Sequence, residues 1–485
     1  MAPFALTDFL SRSSRAPSSL RLGFAVLFSL LAACSRPIPQ SSVILAVLDT
    51  TRADAVSAYG QVAGTTPTVD ALARTGLQYD RAYSNAGWTL PAHASLFTGL
   101  LPSEHGVQSG SDKLDTVLTL AEALQRAGYE TIGIVENPWL TPTTGMARGF
   151  ERFAAAGTNM TGKVEDWLRT RDGNRPFFLF LNIMDPHSPY EVRDTNPFLP
   201  AGIDTAAAKA VSQAPDDYLC LVKPGDRNLA ALRGLYLGDV HAADAKLAAI
   251  LARIEPLRAR RPQIVIVTSD HGEYFGEHGL VGHYVGVAEA VLRVPLIVHG
   301  LPYVRPARIA SVVQLLDLMP SILAWVGAPV PGGLTGRPLP TKTVASGADR
   351  VVIAEHHDYF RTDPHIPEGL RALANNVWRH CGPDDRVLGD MRSLIRFPEK
   401  VVWYANYAPE LFDVAVDPLE EHNLASASPE KCTALQAELA TVIAAAGNRP
   451  PAPKQALDPA LVERLRGLGY LGGAKDPKPA HAPQP

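Results

Sequence analysis

The chain has 485 residues, with 45 Lys and Arg against 49 Asp and Glu, so its formal net charge is −4 at pH 7. Hydrophobic residues make up 46% and charged residues 19% of the chain, as in ordinary globular proteins, and the lack of a basic domain argues against a nucleic-acid partner. Four cysteines exclude a disulfide scaffold, and 38 Gly and 41 Pro without a repeat period exclude collagen-like and solenoid folds.

The N-terminal residues have the order of a bacterial export signal. Arginines precede an apolar run over residues 23–33, which is long enough for a signal h-region and too short to span a membrane. The run ends in Leu-Ala-Ala-Cys, which resembles the lipobox of bacterial lipoproteins. We predict a lipoprotein signal peptide over residues 1–33, a lipidated Cys34 that anchors the chain to a membrane, and a tether over residues 34–42. A plain secretory signal with a coincidental cysteine is the alternative.

Such a signal directs the rest of the chain to the bacterial cell envelope, outside the cytoplasm, in the periplasm or at the cell surface. That space is oxidising, so one disulfide is open among the three remaining cysteines, Cys220, Cys381 and Cys432. Their spacing does not select a pair.

Continuous apolar runs predict strands that are buried on both faces of a parallel sheet. These runs are Val43–Leu48, Thr131–Val135, Phe177–Leu181, Ile264–Val267 and Val294–Val298. Helix-period stretches lie between them, at Thr68–Thr75, Leu118–Ala127, Met160–Arg169 and Arg227–Ile254. The alternation predicts an α/β fold, a doubly wound and mostly parallel sheet, in a catalytic domain over residues 43–345.

The pattern changes after residue 345. Short strands over Val351–Glu355, Val401–Tyr404 and Leu411–Val414, followed by a helix over Glu430–Ala446, predict a small α+β subdomain over residues 346–447. Residues 448–485 are a Pro-rich tail, for which we predict extended or disordered chain around the proline runs.

Acidic residues follow two of the predicted strands. Asp49 comes directly after the first strand, and Asp270 and His271 closely follow the strand at Ile264–Val267. Open α/β sheets bind ligands at the carboxyl ends of their strands, so these side chains converge on one site if the strands are neighbours. Two carboxylates and an imidazole suit a divalent cation. An aspartate after a strand is also a common helix cap or turn residue, and this is the alternative.

Thr89 is a third candidate. It precedes a helical stretch with Pro91 in its first turn, so one role for it is an ordinary N-cap. The other role is catalytic. A hydroxyl beside a cation at a helix N-terminus has a depressed pKa, and the backbone N–H groups there bind an oxyanion.

Together these segments resemble the sulfatase branch of the alkaline phosphatase superfamily, from residue 43 to about residue 425. The matching motifs lie in the family's order, at residues 48–54, 59–60, 66–70, 89–99, 269–273, 276–279, 292–297, 410–413, 417–420 and 423–424. The resemblance implies that Asp49, Asp270 and His271 bind the metal and that Thr89 is the nucleophile touching it. Thr50 stands at a further ligand position, where the family usually has aspartate.

The resemblance also implies roles for three histidines. His187, in Met-Asp-Pro-His, resembles the histidine that contacts the substrate anion, with a turn-capping loop histidine as the alternative. His283 falls where the family often has an anion-binding lysine, and His93 falls where it has the arginine that supports the nucleophile. Both would donate to a developing oxyanion or leaving group, and surface or helix-face imidazoles are the alternative. His278 is interpreted as structural.

Departures from the family pattern bear on the chemistry. Most sulfatases oxidise Cys or Ser to formylglycine, and threonine cannot give that aldehyde, so Thr89 argues against the standard sulfatase mechanism. Residues 135–139 replace the family's Gly-Lys-Trp-His segment and remove a cation. Asp185 and His187 are candidates for a second metal, but their spacing does not match. We therefore predict one divalent cation (Ca²⁺, Mg²⁺ or Mn²⁺, with Zn²⁺ open).

The resemblance implies a hydrolase of sulfate or phosphate esters that acts on a small-molecule, glycan or lipid ester. One alternative is a transferase of phosphoryl-containing head groups in the envelope. Another is a binding protein that has kept the metal and the fold but lost turnover.

Overall fold

The main sheet is built from apolar strands, most of which run in one direction. The computed structural model has β1 at Ser42–Leu48, β2 at Leu77–Tyr83, β3 at Glu130–Val135, β4 at Arg152–Ala155, β5 at Phe177–Ile183, β6 at Gln263–Thr268, β7 at Tyr274–Phe275, β8 at Val281–Gly282, β9 at Arg293–Val294, β10 at Leu296–His299 and β11 at Ala307–Gln314. Every residue of β1, β3, β5 and β6 is buried, which explains why these strands read as unbroken apolar runs.

The structure describes residues 40–60, 62–155, 157, 159–212, 227–283, 285–342, 350–358, 362–366, 368, 371, 389–446 and 452–467. The predicted signal peptide, Cys34, Cys220 and Cys381 lie outside these residues, while Cys432 is buried and has a free thiol. From Ser41 onward the chain forms one compact unit. None of the helices in the described part of the chain is long and apolar enough to cross a bilayer.

The strand order of the main sheet is β11-β2-β10-β6-β1-β5-β3-β4, with β9 paired to β2, while β7 and β8 pair only with each other in a separate antiparallel ribbon. β1 lies between β5 and β6 and is parallel to both, and β3 is parallel to β5. β10 runs antiparallel to β6 and to β2. The predicted doubly wound, mostly parallel sheet is therefore confirmed. The predicted strand at Val294–Val298 is two short strands, because Pro295 has no N–H to give to a ladder.

Helices cover the sheet: α1 at Pro67–Thr75, α2 at Thr89–Thr98, α3 at Pro102–His105, α4 at Leu120–Arg126, α5 at Met160–Thr170, α6 at Thr205–Ser212, α7 at Arg227–Ile254, α8 at Glu289–Leu292 and α9 at Leu318–Trp325. Side chains that alternate along β1 and β5 pack into two different hydrophobic clusters, one on each face of the sheet. The helix predicted at Arg227–Ile254 has these bounds in the structure.

A second, antiparallel sheet lies in the C-terminal part, with β12 at Val352–His356, β13 at Met391–Arg396, β14 at Glu399–Tyr404 and β15 at Glu410–Asp413. Helix α10, Pro429–Ala446, packs Leu435 and Leu439 against this sheet. The predicted small α+β element pattern is thus present. Within the predicted Pro-rich tail, helix α11, Pro459–Gly467, buries Leu461 and Leu465 in the main core, so this part of the tail is ordered.

Candidate active site

The candidate site lies where neighbouring parallel strands end. β1 ends at Leu48, and its partners β5 and β6 end at Ile183 and Thr268. Asp49 continues β1 and donates its backbone N–H to the Ile183 carbonyl at 2.8 Å. The register therefore brings the segments after β1, β3, β5 and β6 to a common edge of the sheet, as the strand-end argument predicts.

Asp49, Asp270 and His271 come together at this edge, with one ligand atom from each within 4.8 Å of the others. All three side chains are fully buried. Asp49 Oδ1 and Asp270 Oδ2 have no hydrogen-bond partner, and burial raises the pKa of Asp270. Buried carboxylate oxygens without partners are unfavourable unless a cation neutralises them. The residues present therefore fit a divalent cation with oxygen and nitrogen ligands.

The imidazole of His271 is oriented for such a ligand role. Its Nδ1 lies 3.0 Å from the Gly272 carbonyl, which only accepts, so Nδ1 carries the proton and Nε2 faces the cluster unprotonated. Burial lowers the pKa of His271 to about 3, and nearby His283 contributes in the same direction. Position 272 requires glycine, since a Cβ there would lie 2.2 Å from the Ala290 carbonyl oxygen.

Thr50 adopts a left-handed backbone with φ 54°, and its N–H donates to Asp270 Oδ1 at 3.1 Å. The Thr50 hydroxyl donates to the Asp49 carbonyl at 2.8 Å. Thr50 thus ties the two carboxylate segments together. Its role as a metal ligand stays a prediction.

Thr89 is the first residue of α2 and is 1% exposed. The N-cap is Trp88, and no side chain caps this helix, so the interpretation of Thr89 as an ordinary N-cap is wrong. Its hydroxyl instead faces the ligand cluster, with Oγ1 3.4 Å from His271 Nε2. Thr89 Oγ1 therefore lies beside the atoms that would hold a cation.

His93 lies one turn along α2 and is fully buried. Its Nδ1 donates to the Thr89 carbonyl at 2.9 Å and lies 3.5 Å from Asp270 Oδ2, while Nε2 has no partner. The rings of Phe97 and Phe180 stand edge-on to the imidazole, at centroid distances of 6.1 and 5.8 Å. The surface alternative for His93 is therefore wrong, and its contacts support the turn that carries Thr89.

Two asparagines complete this half of the site and were not predicted. Asn137 follows β3, and its side-chain NH₂ donates to Asp49 Oδ2 at 2.9 Å and to Thr89 Oγ1 at 3.2 Å. Asn182, inside β5, donates to the same Asp49 oxygen at 2.8 Å and accepts the Asn137 N–H at 2.9 Å. The sequence signals were a polar residue after a third strand end and an amide within the apolar run of β5.

His187 and His283 lie on the other side of the cluster. Their ring centroids are 4.8 Å apart, and His283 is 4.6 Å from His271. Both are nearly fully buried, at 4% and 3% exposure, so the surface interpretation of His283 is wrong. His187 Nδ1 donates to the Ser188 carbonyl, which is a turn contact. Burial lowers the pKa of His283 to about 3, with His187 contributing.

Glu273 orients this second half and was not predicted as a site residue, although it belongs to a motif that the sequence carries. Its Oε1 accepts from His283 Nδ1 at 3.0 Å, and Tyr190 donates to the same carboxyl. Oε2 has no partner, and burial raises the pKa of Glu273 to about 7. Glu273 therefore fixes the orientation of the His283 ring, with Nδ1 facing the carboxylate and Nε2 facing away from it.

Nearby charged residues form closed ion-pair groups. Arg52 is bound by Asp54 at 2.8 Å and by Glu277 at 2.7 Å, and it donates to the Glu273 carbonyl. Asp185, a candidate for a second metal, forms an ion pair with Lys246, which also binds Glu136 at 2.8 Å. These contacts give Asp185 a partner within the protein, and the prediction of one cation stays a prediction.

His278, interpreted as structural, lies outside the cluster and is 3.7 Å from Glu420. Glu420 also binds the buried Lys400 at 2.7 Å. This group joins the loop after β7 to the small sheet.

The sequence profile of the Sulfatase family matches residues 41–328, more than half of the chain. The chain belongs to the sulfatase family. Arylsulfatase K of Rattus norvegicus is 23% identical over 429 residues, which cover 78% of this chain and 73% of the relative. The multifunctional alkaline phosphatase superfamily protein PehA of Trinickia caryophylli is 24% identical over 482 residues, which cover 80% and 91%.

Solved structures agree on the fold. The phosphonate monoester hydrolase of Agrobacterium radiobacter aligns with a TM-score of 0.65 and 22% identity, over 84% of this chain and 96% of that chain. The predicted membership of the sulfatase branch is confirmed, and with it the class of the enzyme, a sulfuric or phosphoric ester hydrolase.

Proposed function

We propose that this sulfatase-family enzyme cleaves phosphate, phosphonate or sulfate esters by attack of the unmodified Thr89 hydroxyl, and that phosphorus esters are its better substrates. One observation carries the proposal: Thr89 Oγ1 accepts a hydrogen bond from Asn137 at 3.2 Å and lies 3.4 Å from His271 Nε2, at the rim of the ligand cluster. Threonine supplies an alkoxide but no aldehyde hydrate, and this favours direct attack.

Asp49, Asp270 and His271 are the proposed ligands of one divalent cation, with Thr50 as a weaker further ligand. A cation bound there supplies Lewis-acid charge that favours the ionised nucleophile and the developing anion. Titration of the protein with Mg²⁺, Mn²⁺, Ca²⁺ and Zn²⁺ in turn measures which cation it binds most tightly.

The chain's own residues supply the remaining steps. The amide of Asn137 donates to Oγ1 of Thr89, so it stabilises negative charge on that atom and directs a lone pair at the substrate. As the Thr89 hydroxyl loses its proton, attack forms a bond from Oγ1 to phosphorus or sulfur and breaks the ester bond, and the departing alkoxide takes up one proton and leaves as the alcohol, so the protons balance. Water then cleaves the ester on Thr89, releases the transferred group as its sulfate, phosphate or phosphonate anion and restores the hydroxyl.

His187 and His283 are proposed to line the position of the substrate's anionic group. Their rings adjoin each other beside His271, and Glu273 holds Nδ1 of His283. The neutral ring of His283 has its N–H on Glu273, so donation from its Nε2 to the leaving group requires that the bound anion first favour a protonated ring. His93 is proposed as a positioning residue, since its Nδ1 donates to the backbone carbonyl of Thr89.

We also propose that Cys34 is lipidated and that the enzyme acts in the cell envelope, outside the cytoplasm. The export-signal order of residues 1–34 supports this part of the proposal.

The test uses the chain from residue 35 with Thr89→Ala, Thr89→Ser and, as a matched control, Thr98→Ala, which removes a buried hydroxyl from the same helix. Aryl phosphate, phosphodiester, phosphonate monoester and sulfate are assayed with each cation. We expect Thr89→Ala to lose at least 10³-fold in kcat/KM, Thr89→Ser to keep partial activity, and Thr98→Ala to keep most of it. A peptide containing Thr89 should carry the transferred group in quenched samples.

Activity that survives Thr89→Ala would refute the nucleophile. A sulfate preference that depends on Thr89 would refute the preference for phosphorus. Tight cation binding without turnover on any ester would favour the binding-protein alternative, and transfer to an added alcohol in place of water would favour the transferase.

A further inference from the structure

The edge of the main sheet opposite the candidate site is formed by strand beginnings. β1, β3, β5 and β6 start here, as the pairs Ser42–Gln263 and Glu130–Phe177 show. β2 and β11 also start at this edge, and β10 ends there. The segments that lead into these strands therefore share one surface, which we call the amino edge.

The amino edge is rich in arginine. Residues 72–76, 126–129, 171–176, 255–262 and 300–306 lead into β2, β3, β5, β6 and β11. They contain eight arginines and two carboxylates, Asp172 and Glu255. The arginines are Arg74, Arg126, Arg171, Arg175, Arg258, Arg260, Arg261 and Arg305. Three of them form one basic stretch, Arg-Ala-Arg-Arg at residues 258–261, and the fold adds the other five from four distant segments.

Contacts link the central arginines. Arg261 donates to the Asn174 carbonyl at 2.8 Å, and an atom of the Arg260 guanidinium comes within 3.8 Å of the Cβ position at Gly173. Burial lowers the pKa of Arg171, and the negative charge of Glu130 acts in the opposite direction. The positive charges of Arg261 and Arg260 lower this pKa further. Three like charges are thus held close enough to repel, which favours an anionic partner.

Nearby carboxylates neutralise only part of this charge. Glu130 is 3% exposed and faces Arg171, and Glu151 binds Arg175 at 2.6 Å. Among the described residues, four exposed arginines of the amino edge have no acidic group within ion-pair distance: Arg74, Arg126, Arg260 and Arg305.

An exposed aromatic residue accompanies the arginines. Tyr303 lies in the loop between β10 and β11, and 94% of it is exposed. Its backbone is left-handed, with φ 60°. A tyrosine ring that projects fully into water is unusual in a folded protein, whereas tyrosine is enriched where proteins meet the interfacial region of a bilayer.

The chain also enters the compact unit at this edge. Ser42 donates its N–H to the Pro262 carbonyl at 2.9 Å, directly after Arg260 and Arg261, and Tyr129 donates to the Ser41 carbonyl at 2.8 Å. Cys34 precedes Ser41 by seven residues, and seven residues span at most about 25 Å. A lipid on Cys34 would therefore keep the amino edge close to the bilayer.

We propose that the amino edge docks on the anionic headgroups of the membrane that holds Cys34, and so turns the candidate site away from that membrane. The orientation rests on the proposed anchorage at Cys34, whereas the affinity of the edge for anionic lipid does not. Asp49 is seven residues along β1 from Ser42, about 23 Å towards the opposite edge. The substrate class is then an ester dissolved in the surrounding fluid, in preference to a lipid of the same bilayer.

The test uses vesicle flotation with the chain from residue 35. This chain contains every described hydrophobic cluster, since these run from Val43 to Leu465. The vesicles are phosphatidylcholine alone and an equimolar mixture with phosphatidylglycerol. One variant combines Arg258→Gln, Arg260→Gln and Arg261→Gln. The charge-matched control combines Lys113→Gln, Lys209→Gln and Arg464→Gln, three cations outside the amino edge, of which Lys209 and Arg464 are exposed and Lys113 is partly exposed.

We expect binding to the anionic vesicles only, with an affinity that falls as salt rises. The amino-edge variant should bind about 100-fold more weakly and the control variant like the parent. Thermal melting checks that both variants are folded. Equal affinity of the two variants, or no binding of the parent at low salt, would overturn the proposal.

The full chain separates anchorage from docking. With lipidated Cys34 it should float with both kinds of vesicle. Failure to float with phosphatidylcholine alone would refute the anchorage and the orientation. Neither measurement depends on turnover, so a failure of the proposed hydrolysis by Thr89 would leave both results interpretable.

Discussion

Histidines in two regions of the molecule, His271 and His283 in the candidate site and His357 beside the small sheet, have pKa values that shift in opposite directions. In the candidate site, burial lowers the pKa of His271 and His283 to about 3 each. Beside the small sheet, burial also opposes the charging of His357, but Asp390 and Glu355 outweigh it and raise the pKa to about 9. His357 Nδ1 lies 3.1 Å from Asp390, and Nε2 lies 3.6 Å from Glu355.

The difference follows from what each carboxylate contacts. In the site, Asp49 accepts from the neutral amides of Asn137 and Asn182, and an oxygen on each of Asp49 and Asp270 stays without a hydrogen-bond partner. Beside the small sheet, the carboxylates of Asp390 and Glu355 instead pair with the protonated imidazole of His357. One region therefore keeps its negative charge for a ligand, and the other uses it for stability.

The largest effect should come from removing charge from the ligand cluster. Asp270→Asn takes one carboxylate from the proposed cation, so we expect Mn²⁺ affinity to fall by at least 100-fold, since changes even to the partners of metal ligands cost 10–100-fold. Calorimetric titration measures this. The control is Asp244→Asn, which alters a buried carboxylate that accepts from the N–H groups of Thr68 and Val69. Unchanged Mn²⁺ affinity in Asp270→Asn would contradict the assignment.

A smaller effect is expected when the neutral amide is removed. Asn137→Leu deletes the donors to Asp49 Oδ2 and Thr89 Oγ1, and we expect kcat to fall about 10- to 100-fold. Steady-state kinetics on an aryl phosphate at saturating cation measures this. Asn85→Leu is the matched control, because Asn85 is equally buried and donates to Gln314 and Ile353. If both variants lose kcat equally, the role of Asn137 is structural only.

The smallest effect is expected on the free energy of unfolding, and it tests the role of His357 beside the small sheet. The pKa of His357 in the folded protein, about 9, exceeds the unfolded value of about 6.5. Its charged form therefore stabilises the fold fully below pH 6.5, and this contribution is lost as the pH rises through 9. His357→Gln should lower the unfolding free energy by about 1–3 kcal/mol at pH 6 and by little at pH 10.

Denaturant unfolding at the two pH values measures the change. The control, His422→Gln, alters a histidine side chain that is 77% exposed and should have no such pH-dependent effect. A loss for His357→Gln that is the same at both pH values would mean that packing, and not charge, is what His357 contributes.

Burial decides how much of the fold could be predicted from sequence. β1, β5 and β6 are buried on both faces and were visible as apolar runs. β2 reads Leu-Gln-Tyr-Asp-Arg-Ala-Tyr, and its half-buried polar residues hid it. β4 is a short strand at the sheet edge with exposed ends, which also carries little sequence signal.

The candidate site was partly predictable for a related reason. Asp49, Asp270 and His271 stand out because charged groups follow apolar strands directly. Asn137 follows β3 by the same rule, but a neutral amide gives a weaker signal. The contact of Glu273 with His283 joins residues ten apart through a loop, and the pattern of the sequence does not determine that geometry. The arginines of the amino edge come from five segments, so only the fold brings their charges together.

The common direction of β1, β3, β5 and β6 has an evolutionary consequence. The segments at the strand beginnings and those at the strand ends form two separate sets at opposite edges of the buried sheet. Because about 23 Å of strand separates the two edges, an exposed side chain changed at one edge does not contact the other. A lineage with this fold is thus free to adapt to a new cellular surface while its chemistry stays constant, or to acquire a new substrate without altering where the enzyme resides.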